Sequence, residues 1–151
     1  MSRAIRPMVP RDLSQVCAIE RDVYTHEWSL SLFEQELQRD TSIALVCEDG
    51  GRVVGYLVAD MFVDVWHVMN VAVHYGYRRM HVASDLLGAY FDITERRAHR
   101  GHTLEVRASN QAAIDLYRSY GFVGTGIRPR YYEDNSEDAL IMWKDWDGDT
   151  A

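Results

Sequence analysis

The sequence predicts one α+β domain built on a mixed β-sheet, and three observations support that fold class. The chain has 151 residues, of which 47% are hydrophobic and 26% charged, which is typical of a single globular domain. β-type and helical hydrophobic patterns occur in the same chain. Two β-type runs are joined by a tight glycine turn, whereas later ones are separated by helices. We therefore expect a sheet that is antiparallel in its first half and parallel around the later helices.

Two helices are predicted near the start of the chain. Apolar residues at helical spacing after Pro10-Arg11-Asp12 indicate a first helix over about residues 12–24. A second amphipathic stretch follows Trp28-Ser29, and Ser31 with Glu34 predicts a capping box at its start. The short segment between the two helices is predicted to be a loop.

Three strands are predicted next. The runs Ile43–Glu48 and Arg52–Met61 are separated by Asp49-Gly50-Gly51, whose glycines permit positive φ, so they indicate an antiparallel hairpin. Val63–Val73 is predicted to be a third, long strand. The second half of the chain begins with a predicted polar loop over His74–Val82 and a helix from Ala83 to Ala98 that is closed by Gly101. A strand over Thr103–Arg107 and a helix capped by Ser109-Asn110 and stopped by Gly121 are predicted next. Two further strands are predicted at the end: Phe122–Ile127 and Ala139–Trp143.

Charge and hydropathy exclude several functional classes. Lys and Arg number 16 and Asp and Glu 23, a net charge of −7, so the chain lacks the basic footprint of a general nucleic-acid binder. The apolar runs are far shorter than the roughly 20 residues of a membrane span, and no signal-peptide pattern opens the chain. We expect a cytoplasmic protein without direct nucleic-acid or membrane binding.

Cys17 and Cys47 lack metal-ligand spacing and are expected to be buried free thiols, so no metal is predicted.

The charge is distributed unevenly. Residues 131–151 contain seven acids against Lys144 alone, while His74–Arg107 contains six arginines against four acids. An anion is therefore expected to dock on the basic region and a cation near the acidic end, unless both are simply solvated surfaces.

Four residues at three places in the chain are candidates for chemistry. Arg78 and Arg79 lie in a loop between a predicted strand end and a helix start, where backbone N–H groups favour a phosphate; the alternative is two solvated arginines. Glu105 lies in the middle of a strand, where carboxylates are depleted, so it is either a general base or the partner of Arg107 on the same face. Tyr117 lies on the apolar stripe of the next helix and is a core residue unless Glu105 gives it a catalytic partner. No constellation for covalent or metal-assisted hydrolysis is present.

Several motifs resemble the GNAT superfamily of acetyl-CoA-dependent N-acetyltransferases, and within it the RimI-type ribosomal-protein-alanine N-acetyltransferases. The resemblance spans most of the chain, and residues 1–60 are only generically similar apart from Trp28-Ser29 and Phe33. The matching segments are Asn70-Val71-Ala72-Val73, Tyr77-Arg78-Arg79, the run from Leu104 to Ile114 (LEVRASNQAAI), Leu116-Tyr117, Gly121-Phe122, Gly126-Ile127-Arg128, Tyr131-Tyr132 and Glu137-Asp138-Ala139.

This resemblance implies a fold and a set of residue roles. The fold is a GNAT-like, splayed central sheet with about four helices, with acetyl-CoA in the V-shaped opening between the strand ending at Val73 and the strand Thr103–Arg107. Glu105 is implied as the proton acceptor and Tyr117 as the proton donor. The implied cofactor contacts are the backbone of Val71, Ala72 and Val73 for pantetheine, Arg78, Arg79, Met80, His81, Val82, Ala83 and Ser84 for the pyrophosphate, and Asn110 for the cofactor arm. The acceptor peptide is implied to approach Trp28, Tyr131 and Tyr132.

The phosphate loop departs from the family at one position. The family pattern is Arg/Gln-x-x-Gly-x-Gly/Ala, and this chain has Arg78-Arg79-Met80-His81-Val82-Ala83, so His81 replaces the first glycine. Because glycine avoids crowding the phosphates and has a permissive backbone, we expect His81 to weaken cofactor affinity without abolishing it.

The resemblance implies acetyl transfer to the N-terminal α-amine of a protein, with an Ala-starting small-subunit ribosomal protein as the leading acceptor. A second hypothesis keeps the enzyme but changes the acceptor to another N-terminus, a lysine or a small amine. A third is a non-catalytic acyl-CoA-binding module. Acceptor choice depends on the least matched loops, so the sequence separates the first two hypotheses poorly.

Overall fold

The computed structural model describes residues 3–24 and 27–147. Thr25 and His26 of the predicted inter-helix loop, and residues 148–151 of the acidic end, lie outside the described residues. The chain divides into two compact units: the first comprises Met1–Asp60 and Met69–Arg96, and the second Met61–Val68 and Arg97–Ala151. The expectation of a single domain therefore stays a prediction, which a single calorimetric unfolding transition would test.

The described residues form seven strands and four α-helices. They are β1 (Arg3–Pro7), α1 (Leu13–Val23), α2 (Leu30–Gln38), β2 (Ser42–Asp49), β3 (Arg52–Phe62), β4 (Val65–Val73), α3 (Val82–Thr94), β5 (Gly101–Arg107), α4 (Gln111–Ser119), β6 (Val123–Arg128) and β7 (Ala139–Asp145). Their order from α1 onward is the one that the sequence predicts, and β1 is an additional strand. Among the described residues, no helix is long and apolar enough to span a membrane.

The strands form one mixed sheet with the order β1-β2-β3-β4-β5-β7-β6. The predicted β2–β3 hairpin is confirmed, with Ser42 opposite Asp60 and Asp49 opposite Arg52. The expected parallel direction around the later helices is confirmed, because β4 and β5 pair in parallel and β5 and β6, on either side of α4, both run antiparallel to β7. The position of β7 between them was not predicted. β4 and β5 are parallel over Val65–His67, but β7 lies antiparallel between β5 and β6. The long connection after β6 lets β7 return beside β5, so α4 does not place a parallel strand next to β5.

Several predicted element ends differ from the structure. Gly101, expected to close α3, instead begins β5. Ser29, not Ser31, caps α2, because its side chain accepts the hydrogen bond from Leu32 N at 3.2 Å. β4 begins at Val65, since Val63 and Asp64 adopt positive φ in the turn before it. α3 ends at Thr94, one turn before the apolar pattern stops. In each case the local hydrogen bonding, rather than the hydrophobic periodicity, decides the boundary.

The core of the first unit lies between the sheet and the first two helices. One core cluster there contains Leu13, Val16 and Ile19 of α1, Phe33 of α2 and Tyr56 of β3. α3 packs against β1 and β2. Gly55 is needed on β3 because an added Cβ would lie 2.8 Å from Val82 Cγ1 of α3. Cys47 is buried as expected, whereas Cys17 is only half-buried, and both are free thiols.

In the second unit, buried apolar side chains come from β5, α4, β7 and the residue before β6: Leu104, Val106, Ile114, Met142 and Phe122. Gly101 permits the close approach of β7, since a Cβ there would lie 2.4 Å from the Trp143 ring. His102 is fully buried, and burial lowers its pKa to about 3, so its imidazole is neutral.

Candidate active site

Glu105 lies in a polar cluster within the second unit. Strand alternation directs its carboxylate away from buried Leu104 and Val106, and the side chain is 15% exposed. His67 Nε2 lies 3.6 Å from Glu105 Oε1, and Arg128 Nε lies 3.5 Å from Oε2. A mostly buried carboxylate in the middle of a strand, with an imidazole and a guanidinium nearby, is a candidate proton acceptor.

Tyr131 and Tyr132 lie beside this carboxylate. Burial and a hydrogen bond to Glu105 raise the pKa of Tyr131, and the Tyr131 ring meets the Tyr132 ring edge-on at 5.1 Å. Arg128 lies over the Tyr131 ring at 5.8 Å. The structure thus brings two of the sequence-predicted acceptor residues to the predicted base.

Arg107 organises the loop that carries the two tyrosines. Its guanidinium donates to both carboxylate oxygens of Asp134, at 2.8 and 3.0 Å, and lies 4.0 Å from the centre of the Tyr132 ring. Glu137, which also contacts Arg107, accepts a 2.7 Å hydrogen bond from Ser109 N. The alternative of an Arg107–Glu105 pair is therefore wrong, because the acids of this loop occupy the guanidinium.

Tyr117 lies on the half-buried side of α4, and its ring meets Phe122 edge-on at 5.8 Å. Burial, and then the neighbouring Tyr132, raises the pKa of Tyr117 to about 12. The phenol therefore keeps its proton at neutral pH, which is the state that a proton donor needs.

Asn110 has a local structural task. Its side-chain oxygen accepts from Ala113 N at 3.2 Å and caps α4, as the sequence predicts. Any contact to a cofactor from this side chain would therefore use its amide NH₂ group.

In the part of β4 that belongs to the first unit, the backbone N–H and C=O groups of successive residues point alternately toward β3 and away from it. His74 N donates to Val54 O of β3 at 2.8 Å, so Val71 and Val73 direct their backbone groups away from β3. On that edge, Val71 O accepts a 2.7 Å hydrogen bond from the Tyr24 hydroxyl. Ala72 is buried and contributes only through its backbone.

The loop before α3 has an unusual backbone conformation. Arg79 and His81 both adopt the left-handed region, with φ values of 63° and 64°. The hydrogen bond from Asp85 N to His81 O opens α3, which has no side-chain N-cap hydrogen bond. His81, Arg78, Arg79 and Met80 are exposed, and Val82 is buried. The backbone N–H groups that precede Asp85 in the first turn of α3 have no partner within the helix and are oriented to bind an anion.

Trp28 lies half-buried before α2. Its ring packs on Phe33 at 5.1 Å, and its backbone N–H donates to Glu20 Oε2 at 2.8 Å. Sequence reasoning singled out Trp28 and Arg107, although it gave Arg107 a different partner, and it missed Glu20, His67 and Arg128 as members of these clusters. The pairing of β4 with β5 explains why His67 lies near Glu105. His67 is opposite Thr103, which is two residues before Glu105.

Residues 13–122 match the model of the acetyltransferase (GNAT) family. The chain belongs to that family. It is 34% identical over 133 residues, 87% of this chain and 89% of the relative, to the ribosomal protein bS18-alanine N-acetyltransferase of Escherichia coli K12. The crystal structure of the ribosomal-protein-alanine N-acetyltransferase from Escherichia coli superposes with a TM-score of 0.89 at 30% identity, covering 99% of both chains.

These findings confirm the predicted GNAT fold class and the RimI-type resemblance. The fold also matches Arabidopsis thaliana NAA60 in complex with acetyl-CoA, with a TM-score of 0.87 at 18% identity over 95% of this chain and 98% of that one. The protein is an acetyltransferase of the GNAT family.

Proposed function

We propose that this protein transfers the acetyl group of acetyl-CoA to the N-terminal α-amine of a protein in the cytoplasm, with an Ala-starting ribosomal protein as acceptor. The observation that carries the proposal is the position of Glu105 beside Tyr131, His67 and Arg128. The Escherichia coli relative, named for transfer to the alanine of a ribosomal protein, supports this acceptor class.

Glu105 acts as the proton acceptor. An α-amine has a pKa of about 7.7–8.0, so most of it is protonated at neutral pH and must lose a proton before it attacks. The Glu105 carboxylate takes that proton directly or through one water. Arg128 places positive charge 3.5 Å from one carboxylate oxygen, and His67 lies 3.6 Å from the other.

Tyr117 acts as the proton donor. Since burial raises its pKa to about 12, its hydroxyl is protonated throughout the physiological range and can protonate the departing sulfur. The backbone N–H of Val71 is suited to stabilise negative charge on the carbonyl oxygen.

The first unit has groups that suit acetyl-CoA, which supplies the acetyl group as an activated thioester. The outward backbone groups of Val71 and Val73 match the amides of pantetheine. Arg78, Arg79 and the start of α3 match a pyrophosphate, because guanidinium groups and helix N-termini both bind phosphate oxygens. Asn110 is assigned to the cofactor arm through its amide NH₂ group.

Trp28, Tyr131 and Tyr132 are assigned to the acceptor. The acidic end contributes less charge than its composition suggests, because Asp134 and Glu137 are paired with Arg107, and Asp147 with Lys144. Attraction of a basic N-terminus therefore depends on the remaining acids, such as Glu133 and Asp138.

A competition experiment tests the acceptor. Basic peptides that differ only in their first residue, Ala, Ser, Met or Pro, are incubated together with the protein and acetyl-CoA, and initial rates are followed by mass spectrometry. The proposal predicts the highest kcat/KM for the Ala peptide. Equal rates for all peptides, or preference for another residue, would assign a different acceptor to the same chemistry.

A further inference from the structure

Glu20 of α1 is a buried carboxylate on which three hydrogen-bond donors converge. The residue is 1% exposed. Its Oε1 accepts from the Tyr56 hydroxyl of β3 and from Asn70 Nδ2 of β4 at 2.9 Å, and its Oε2 accepts from Trp28 N at 2.8 Å. One side chain therefore joins α1, two strands and the segment that leads into α2.

In this junction Glu20 accepts every hydrogen bond, and the backbone N–H of Trp28 can only donate. The Trp28 N–H and the Asn70 amide both donate to the carboxylate, and the Tyr56 hydroxyl does the same. A glutamine has one amide oxygen and one NH₂ group. If its oxygen accepts the hydrogen bonds from Asn70 and Tyr56, its NH₂ group faces the backbone N–H of Trp28, and both of these groups are donors. Because a buried donor without an acceptor is unfavourable, the Trp28 contact would open.

Two more hydrogen bonds connect the same parts of the first unit. The Tyr24 hydroxyl, just after α1, donates to Val71 O at 2.7 Å. The Tyr75 hydroxyl, just after β4, donates to the carbonyl of Asp22 in α1 at 2.7 Å. The end of α1 is thus fixed to residues 70–75 at three points: Asn70, Val71 and Tyr75.

We infer that Glu20 is a positioning residue that fixes the backbone at Trp28 relative to β4 at Asn70–Val73. The inference rests on the proposed function, which assigns Trp28 to the acceptor and Val71–Val73 to the cofactor. Glu20 touches neither substrate; it acts through the Trp28 N–H and the Asn70 side chain. The acceptor-side segment and the cofactor-side strand then hold one arrangement before either substrate binds.

The decisive variant is Glu20→Gln, which preserves volume and changes the donor pattern. Its matched control is Asp12→Asn in the same unit. Asp12 is also buried, at 2% exposure, and accepts from the Arg6 guanidinium and from Val9 N at 2.8 Å, but it contacts none of the residues assigned to substrates. Tyr56→Phe, which leaves Trp28 and Asn70 on the carboxylate, is a second control.

Two readouts separate positioning from stability alone. The first is steady-state kinetics: we expect Glu20→Gln to raise the acceptor KM about tenfold, the loss expected for one hydrogen bond to a charged group, while Asp12→Asn lowers Tm and leaves that KM unchanged. The second is amide hydrogen exchange, in which only Glu20→Gln removes protection at the Trp28 N–H.

The outcomes distinguish this inference from the proposed function. If Glu20→Gln loses stability like Asp12→Asn but keeps the acceptor KM and the protection at Trp28, the positioning role is overturned. If the wild-type protein acetylates no peptide, the proposed function fails. Hydrogen exchange at Trp28 then still decides whether Glu20 positions this segment.

Discussion

The imidazole Nε2 of His67 lies 3.6 Å from Oε1 of Glu105, and Nε of Arg128 lies 3.5 Å from Oε2 of the same carboxylate. This pair follows from the parallel register of β4 and β5, in which His67 lies opposite Thr103. The two contacts place an imidazole and a guanidinium next to the carboxylate that is proposed to accept the proton.

Glu105→Gln is expected to lower kcat about a hundredfold, because the amide cannot accept the proton of the α-amine. The dissociation constant for acetyl-CoA, measured by calorimetry, is expected to stay unchanged. The control is Glu133→Gln, an exposed acid of the loop that carries Tyr131. An equal loss in the control, or none in Glu105→Gln, would remove Glu105 from the chemistry.

Tyr117→Phe is expected to lower kcat at least about tenfold, while Tyr120→Phe on the same helix is not. The pH profile gives an independent check. Since the pKa of Tyr117 is raised to about 12, its protonated form persists above pH 10, so this group produces no fall in kcat below about pH 11. A fall in kcat with a midpoint near 10 that disappears in Tyr117→Phe would contradict the buried position of the phenol.

His81→Gly is expected to stabilise the protein by about 1 kcal/mol, because His81 adopts a left-handed φ of 64°. It should also tighten acetyl-CoA binding by removing a side chain from the assigned phosphate site. The matched control is Arg79→Gly, which relieves a φ of 63° but removes a guanidinium. We expect similar stability gains by urea denaturation but opposite changes in affinity. Unchanged or weaker binding in His81→Gly would exclude crowding by the imidazole.

Arg107→Lys is expected to raise the acceptor KM about tenfold with little change in kcat. Lysine keeps the charge but cannot bind both oxygens of Asp134 while lying over Tyr132. Arg130→Lys on the same loop is the control. Steady-state kinetics at varied concentrations of the acceptor peptide measure KM and kcat for both variants. If Arg107→Lys leaves the acceptor KM unchanged, the loop does not need Arg107 to hold Tyr132.

The buried His102 predicts loss of stability in acid. Its pKa is about 3 in the folded protein and about 6.5 when exposed, so between these values the unfolded chain binds more protons. Stability is therefore full above pH 6.5 and falls by up to about 1.4 kcal/mol per pH unit as the pH drops toward 3. His102→Gln should reduce this slope in urea denaturation curves measured from pH 7 to 4. An identical slope in the variant would show that His102 is accessible to protons in the folded state.

The sequence predicted the order of the elements because their hydrophobic periods are clear, as in α4 between its cap Asn110 and the stop at Gly121. It did not predict that β7 lies between β5 and β6, since strand order depends on contacts that no local pattern encodes. Glu105 was identifiable because a carboxylate within a strand is unusual. Its partners His67 and Arg128 come from other strands, and Arg107 could be assigned to Asp134 only once the loop after β6 was placed.

The central claim, transfer to an N-terminal α-amine, is tested most directly by intact-mass analysis. A basic peptide that begins with Ala and contains an internal lysine is incubated with the protein and acetyl-CoA, beside the same peptide with a formylated N-terminus. We predict one acetyl group on the free peptide and none on the formylated one. Acetylation of both peptides would assign the activity to lysine, and acetylation of neither, with acetyl-CoA binding intact, would contradict the proposed acceptor.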